Sequence, residues 1–161
     1  MKWFVRLLIA LGLLILTMFI TGSTLPKEHT ATATVTFTSS REEVWAVLAD
    51  FQAWPSWRSD LSEIKPGNNS FSEVNKDGEA VDYRIEDFTE PERIITRITT
   101  ADLPYGGSWT YELSPSGNGC SLTITENGEV YNPMFRFMSK YMFGHTATMD
   151  QYLTDLKKRI Q

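Results

Sequence analysis

Cysteine is nearly absent from this chain: Cys120 is the only one in 161 residues. No intrachain disulfide can form, so an oxidising compartment is permitted but not required. Histidine is almost as scarce. His29 and His145 lie far from each other and from Cys120, a spacing that matches no metal site and gives the thiol no histidine partner for nucleophilic catalysis. No metal is expected. No glycine-rich phosphate loop is present either, since Gly106-Gly107 alone reads as a turn, and no cofactor is expected. Basic residues are in the minority. Setting Lys2 and Arg6 aside from the 15 leaves 13 against 20 acidic residues, a net −7 for everything beyond the N-terminal segment. With no basic stripe to reverse it locally, that balance repels phosphate backbones and excludes nucleic acid as a partner.

Charge is missing altogether from Leu7 to Leu25. About 20 helical residues at roughly 1.5 Å each match a bilayer core of about 30 Å, so residues 7–25 are expected to hold the chain in the membrane. Lys2 and Arg6 precede the run, which by the positive-inside rule keeps the N-terminus cytoplasmic and sends the rest to the periplasmic or extracellular side. The competing reading is a cleaved signal peptide, given the small residues Thr21, Gly22 and Ser23. Length and the lack of an A-x-A-like site favour an uncleaved single-pass anchor. No cysteine follows the run to carry a lipid. Residues 1–25 are thus read as anchor, 26–29 as linker and 30–161 as one compact domain.

Within the domain, ATATVTF alternates at strand period, with Ala33, Val35 and Phe37 on one face. Ser39 with Glu42, or Ser40 with Glu43, has capping-box spacing for a helix that buries Val44, Trp45, Val47 and Leu48. Asp50 to Trp54 reads as a break and PSWRSDL as a short second helix begun by Pro55. About six strands follow. Val81, Tyr83 and Ile85 share a face of one; Trp109, Tyr111 and Leu113 share a face of another; Cys120, Leu122, Ile124 and Glu126 share a face of the last. Around Ile94 and Ile95 both parities are apolar, which leaves that strand's facing open. Asn132 and Pro133 then open a helical pattern. Phe135, Met138, Met142, Met149, Leu153, Leu156 and Ile160 make one apolar stripe, read as a long terminal helix with a gap at Gly144 and His145. Strand, two short helices, meander and long helix predict an α+β domain whose sheet is covered on one face.

That order resembles the helix-grip fold of the START-like, polyketide cyclase/dehydrase and lipid-transport superfamily. The residues that carry the resemblance are SREEVWAVLADFQAWPSW, the Asp87–Arg93 strand junction, the glycine turn before the last strand and the terminal helix; TENGEVYNPMFRF resembles membrane-anchored bacterial members. The resemblance covers residues 30–160. It implies a curved antiparallel sheet wrapped around the C-terminal helix, with a cavity between them suited to apolar ligands, and it brings no shared catalytic motif.

Tyr83, Trp109 and Tyr111 from the sheet, with Phe135, Met138 and Met142 from the helix, are the candidate ligand-binding wall, for a sterol, acyl chain or polyketide-like molecule. The same residues can equally meet and fill a core. Glu126 is the sharpest single candidate, because its parity points inward, where an ionised carboxylate is costly without a partner. It reads as a polar anchor for a ligand, as the general base of an enzyme, as the structural partner of Arg136, or as a residue at the strand end near solvent. His145 reads as a pocket group or as a residue at a helix break. Three functions follow: a binding module for a hydrophobic small molecule or lipid, a cyclase- or hydrolase-like enzyme, or a ligand-free envelope protein.

Overall fold

The computed structural model describes residues 2–144 and 146–161, so the readings placed on His145 fall outside the described residues. Helix α1, Lys2–Thr24, is long and apolar enough to cross a membrane. After three connecting residues β1 begins at Glu28, inside the stretch read as linker, and runs to Phe37. Helix α2 spans Arg41–Ala49. Its capping box is the Ser40 and Glu43 pair: the Ser40 hydroxyl accepts from the Glu43 amide at 3.2 Å, and the Glu43 carboxylate accepts from the Ser40 amide at 2.9 Å.

A 3-10 helix over Phe51–Ser56 replaces the expected break and contains Pro55, so the second short helix lies several residues earlier than its sequence suggests. The Asp50 side chain caps it through the Ala53 amide, and the Trp54 indole donates to the Leu48 carbonyl. These two bonds turn the ring into the core.

Six strands follow: β2 (Leu61–Gly67), β3 (Ser70–Asn75), β4 (Ala80–Thr89), β5 (Arg93–Ile98), β6 (Tyr105–Ser116) and β7 (Gly119–Val130). They form one antiparallel sheet with β1, in the order β1-β7-β6-β5-β4-β3-β2. Register shifts at Leu61/Glu63 and Ile85/Asp87 mark bulges, which bend a strand locally. The ambiguous strand β5 turns Ile94 and Thr96 inward, where both are buried. One sheet face is wet: Thr32 meets Thr125 and Thr34 meets Thr123 through their hydroxyls.

The other face is covered by two sets of helices. The stripe read as one long helix is two helices. Asn132 caps α3, Pro133–Met138, through the amides of Met134 and Phe135. A π-helical turn, Ser139–Phe143, ends at Gly144, whose φ of 75° is open to glycine at little cost. Helix α4, Ala147–Ile160, then starts afresh. It buries Met149, Tyr152, Leu153 and Leu156 against the sheet, among Val44, Leu48, Trp54, Leu122 and Ile124. The seven-stranded antiparallel sheet with its covering C-terminal helix is the helix-grip α+β architecture that the resemblance implies.

Candidate functional site

Where α4 ends its hold on the sheet, the core opens into a cavity of about 850 Å³ between β3–β7 and the α3–α4 junction. Its sheet wall carries Tyr83, Trp109 and Tyr111, and its helix wall carries Phe135 and Met138. Glu126 reaches it as well. Strand pairing explains the grouping: Trp109 sits opposite Glu126 and Tyr111 opposite Ile124, so a single inward face presents them in sequence. Tyr83 stacks on Phe71 with ring centroids 5.2 Å apart, and Trp109 lies 6.0 Å from Tyr111. Met142, expected on the same wall, is not among the lining residues. It follows the π-helical turn to the outside and is 63% exposed.

Glu126 does not meet Arg136. The register of β1 against β7 places His29 opposite Gly128 and Ala31 opposite Glu126, which brings the His29 Nε2 to 3.5 Å from the Glu126 carboxylate. Gly128 makes room for this, since a Cβ there would overlap the imidazole. Burial pushes His29 below its ordinary range, so a neutral imidazole faces the carboxylate near pH 7. Arg136 instead donates from Nη1 to the Leu25 carbonyl at 2.8 Å, tying α3 to the end of α1. His29 was within reach of sequence reasoning. It shares the parity of Ala31, Ala33, Val35 and Phe37, and extending β1 by two residues would have put it on the inward face.

The opposite end of the cavity holds a charged group that periodicity did not reveal. Arg58, 7% exposed, donates to Glu73 at 2.6 Å and to Asp60 at 2.6 Å. Its guanidinium lies 5.1 Å from the Trp54 ring and 5.2 Å from the Tyr152 ring. Burial opposes its charge, but Glu73 and Asp60 more than compensate and hold it protonated. Burial raises Glu73, against the pull of Arg58. Glu73 shares parity with Phe71 on β3, a signal that could have turned it inward in the sequence. Arg58 follows a non-repetitive turn, where no period exists to read. Burial also lifts the Tyr83 and Tyr111 phenols well above their ordinary range, so both are hydrogen-bond donors at any physiological pH.

The site is therefore an aromatic and aliphatic chamber with a carboxylate–imidazole pair at one end and an arginine–carboxylate cluster at the other. No group of three or more metal-ligating side chains occurs among the described residues.

A helix-grip sheet enclosing an apolar chamber defines the START-like class of proteins. The chain belongs to the polyketide cyclase / dehydrase and lipid transport family, whose model matches residues 28–161. No curated protein matches it in sequence. Among solved structures, it is similar to a START superfamily protein from Mycobacterium smegmatis at 17% identity, covering 82% of this chain and 97% of that one with a TM-score of 0.65. A conserved protein from Geobacillus kaustophilus gives 16% identity, 82% and 95% coverage and a TM-score of 0.69. Norcoclaurine synthase from Thalictrum flavum gives 10% identity, 88% and 90% coverage and a TM-score of 0.66. At such identities the likeness is one of fold.

Proposed function

We propose that this protein is a membrane-anchored binding module that holds a hydrophobic small molecule or lipid between its sheet and its C-terminal helices. The observation that carries the reading is the cavity: about 850 Å³ lies well above the roughly 300 Å³ at the low end of ligand pockets, so the ligand-free reading is disfavoured. Helix α1 is the anchor, with the N-terminus in the cytoplasm and the domain on the outer side. Domain membership of residues 30–161 follows from the same reading.

The lining chemistry narrows the ligand. Asp60, Glu73, Glu79, Glu126 and Glu129 line the cavity against one guanidinium, Arg58, which its own carboxylate neighbours already occupy. An ionised fatty acid would meet like charge in a low-dielectric chamber. The favoured occupant has an apolar body and a neutral or cationic polar end that accepts from Tyr83 or donates to Glu126. Full-length protein extracted in mild detergent should release such a molecule in denaturing mass spectrometry. Empty protein that also takes up no neutral or amine-bearing amphiphile would sink the reading.

The second reading is a cyclase- or hydrolase-like enzyme on a hydrophobic substrate in the same chamber. Glu126 beside a neutral His29 favours it, because a carboxylate and an imidazole in hydrogen-bond reach of one substrate can move a proton. Glu126→Gln would then abolish turnover of a bound substrate while leaving its affinity intact. Equal loss of binding would place Glu126 in recognition instead.

A further inference from the structure

Helix α3 packs against the end of α1 and also walls the cavity. Along α1, the positions withdrawn from the surface are Met18, Thr21 and Gly22, with Leu25 just beyond, while the rest of the helix is exposed. Their spacing of three, one and three residues draws one face of a helix. Against that face lies α3. Gly22 is buried under Pro133, where a methyl would overlap the Pro133 carbonyl, and Arg136 binds the Leu25 carbonyl. The contact runs from residue 18 to residue 25, about 10 Å along the helix axis. It therefore covers the outer end of the uncharged run, not only the linker past it.

The chemistry of α3 and the turn after it fits that depth. No carboxylate occurs from Val130 to Met149, in a chain with 20 acidic residues. The same stretch carries Arg136 and Lys140. Its outward-facing side chains include Tyr131, Tyr141 and Met142, all exposed. Aromatics at headgroup level, with cations and no acids, mark segments that lie in a membrane interface. On its inner side the segment walls the cavity through Phe135, Met138 and Ser139, and Gly144, where the helix breaks, lines it too.

We infer that residues 131–143 form a membrane-seated gate: this segment lies in the headgroup layer beside α1 and opens the cavity sideways to the bilayer, so that the ligand enters from the lipid without crossing water. The partner surface is a phospholipid bilayer. Arg136 is committed to the Leu25 carbonyl through Nη1, which leaves Lys140 and Lys27 for lipid phosphates, while Tyr141 and Met142 reach the upper acyl region. The inference rests on α1 being retained as an anchor, and it deepens the binding reading by naming where the ligand comes from.

The test uses the full chain in phosphatidylcholine nanodiscs. A bimane is attached to a cysteine placed at Met142 or, as control, at Asp77 on the exposed β3–β4 turn; Cys120 is fully buried, out of the label's reach. Lipids carrying a shallow nitroxide should quench the label at 142 strongly and the label at 77 hardly at all. Equal quenching overturns the inference. A second arm follows Nile red moving into the protein. Tyr141→Glu combined with Met142→Glu should slow uptake from vesicles about tenfold, the effect of roughly 1.4 kcal/mol on a barrier, while leaving saturable binding of Nile red in detergent unchanged. Unslowed uptake overturns the gate. If Nile red binds the wild-type protein in neither setting, the binding reading fails, and the quenching arm still decides whether the segment is membrane-seated.

Discussion

Two halves of one apolar stripe meet different fates. In α4, Met149, Tyr152, Leu153 and Leu156 are buried against the sheet; in α3 no residue is fully buried, Phe135 remains 45% exposed, and Met142 in the π-helical turn is 63% exposed. Both halves carry large apolar side chains at helical spacing. The difference lies in what faces them. Opposite α4 stand Trp54, Tyr111 and Leu122, which fill the space to the sheet. Opposite α3 stand a cavity on one side and the end of α1 on the other. Periodicity reports that a helix has an apolar face, and says nothing of whether that face meets side chains, a ligand or lipid.

The comparison can be broken most forcefully at the filled end. Arg58→Ala removes the cation between Trp54 and Tyr152 and leaves Glu73 buried without its partner. Urea unfolding of the full chain in detergent should show a loss of about 3–5 kcal/mol. Arg58→Met with Glu73→Gln should recover much of it, because no charge is then stranded; a double variant as unstable as the single one would contradict this account. Next in size, Leu156→Ala at a fully buried site should cost about 2–5 kcal/mol in the same assay.

Asp155 sharpens the contrast more gently. Its carboxylate accepts from the Ser59 amide at 2.8 Å and from the Ser59 hydroxyl, pinning α4 to the turn before β2. Burial works against its charge, yet the Ser59 and Gln151 hydrogen bonds hold it below its ordinary 3.8. The unfolded chain therefore takes up the proton first as pH falls. The stabilisation is whole above about pH 5 and is lost as pH drops through the depressed value. Asp155→Asn should cost about 2 kcal/mol at pH 7, with the gap to wild type closing below pH 4. A gap independent of pH would show that the charge is not what matters. Smallest of all, Met142→Ala should shift domain stability by less than about 0.5 kcal/mol, since nothing in the core loses a neighbour. A core-sized loss there would erase the distinction between the two halves.

Much of this architecture was legible beforehand, and the reason is periodicity. Strands β1, β4, β6 and β7 have one wet and one covered face, so alternation assigned their inward residues, Tyr83, Trp109, Tyr111 and Glu126 among them. Asn132 with Pro133 marked the start of α3 because both act within their own turn. What stayed hidden depends on partners distant in sequence. Glu126 pairs with His29 and not Arg136 because strand register, set over ten residue pairs, decides which side chains meet. Arg58 belongs to an irregular turn with no face to read. The 3-10 helix at Phe51–Ser56 is held by a side-chain cap and the Trp54 indole, neither of which leaves a repeat. The break at Gly144 showed only as a gap in the stripe, which a kinked helix or two separate helices would produce alike.

Only residues 25–27 connect α1 to β1. Three residues span about 10 Å at most, and Arg136 shortens even that by fastening α3 to the helix end. With α1 in a bilayer, the domain has no reach. It cannot travel as a shuttle between two membranes or search far from its own exit point. A ligand held by a domain so anchored would have to be delivered and collected at one address, by diffusion within the leaflet or by a second protein that comes to it.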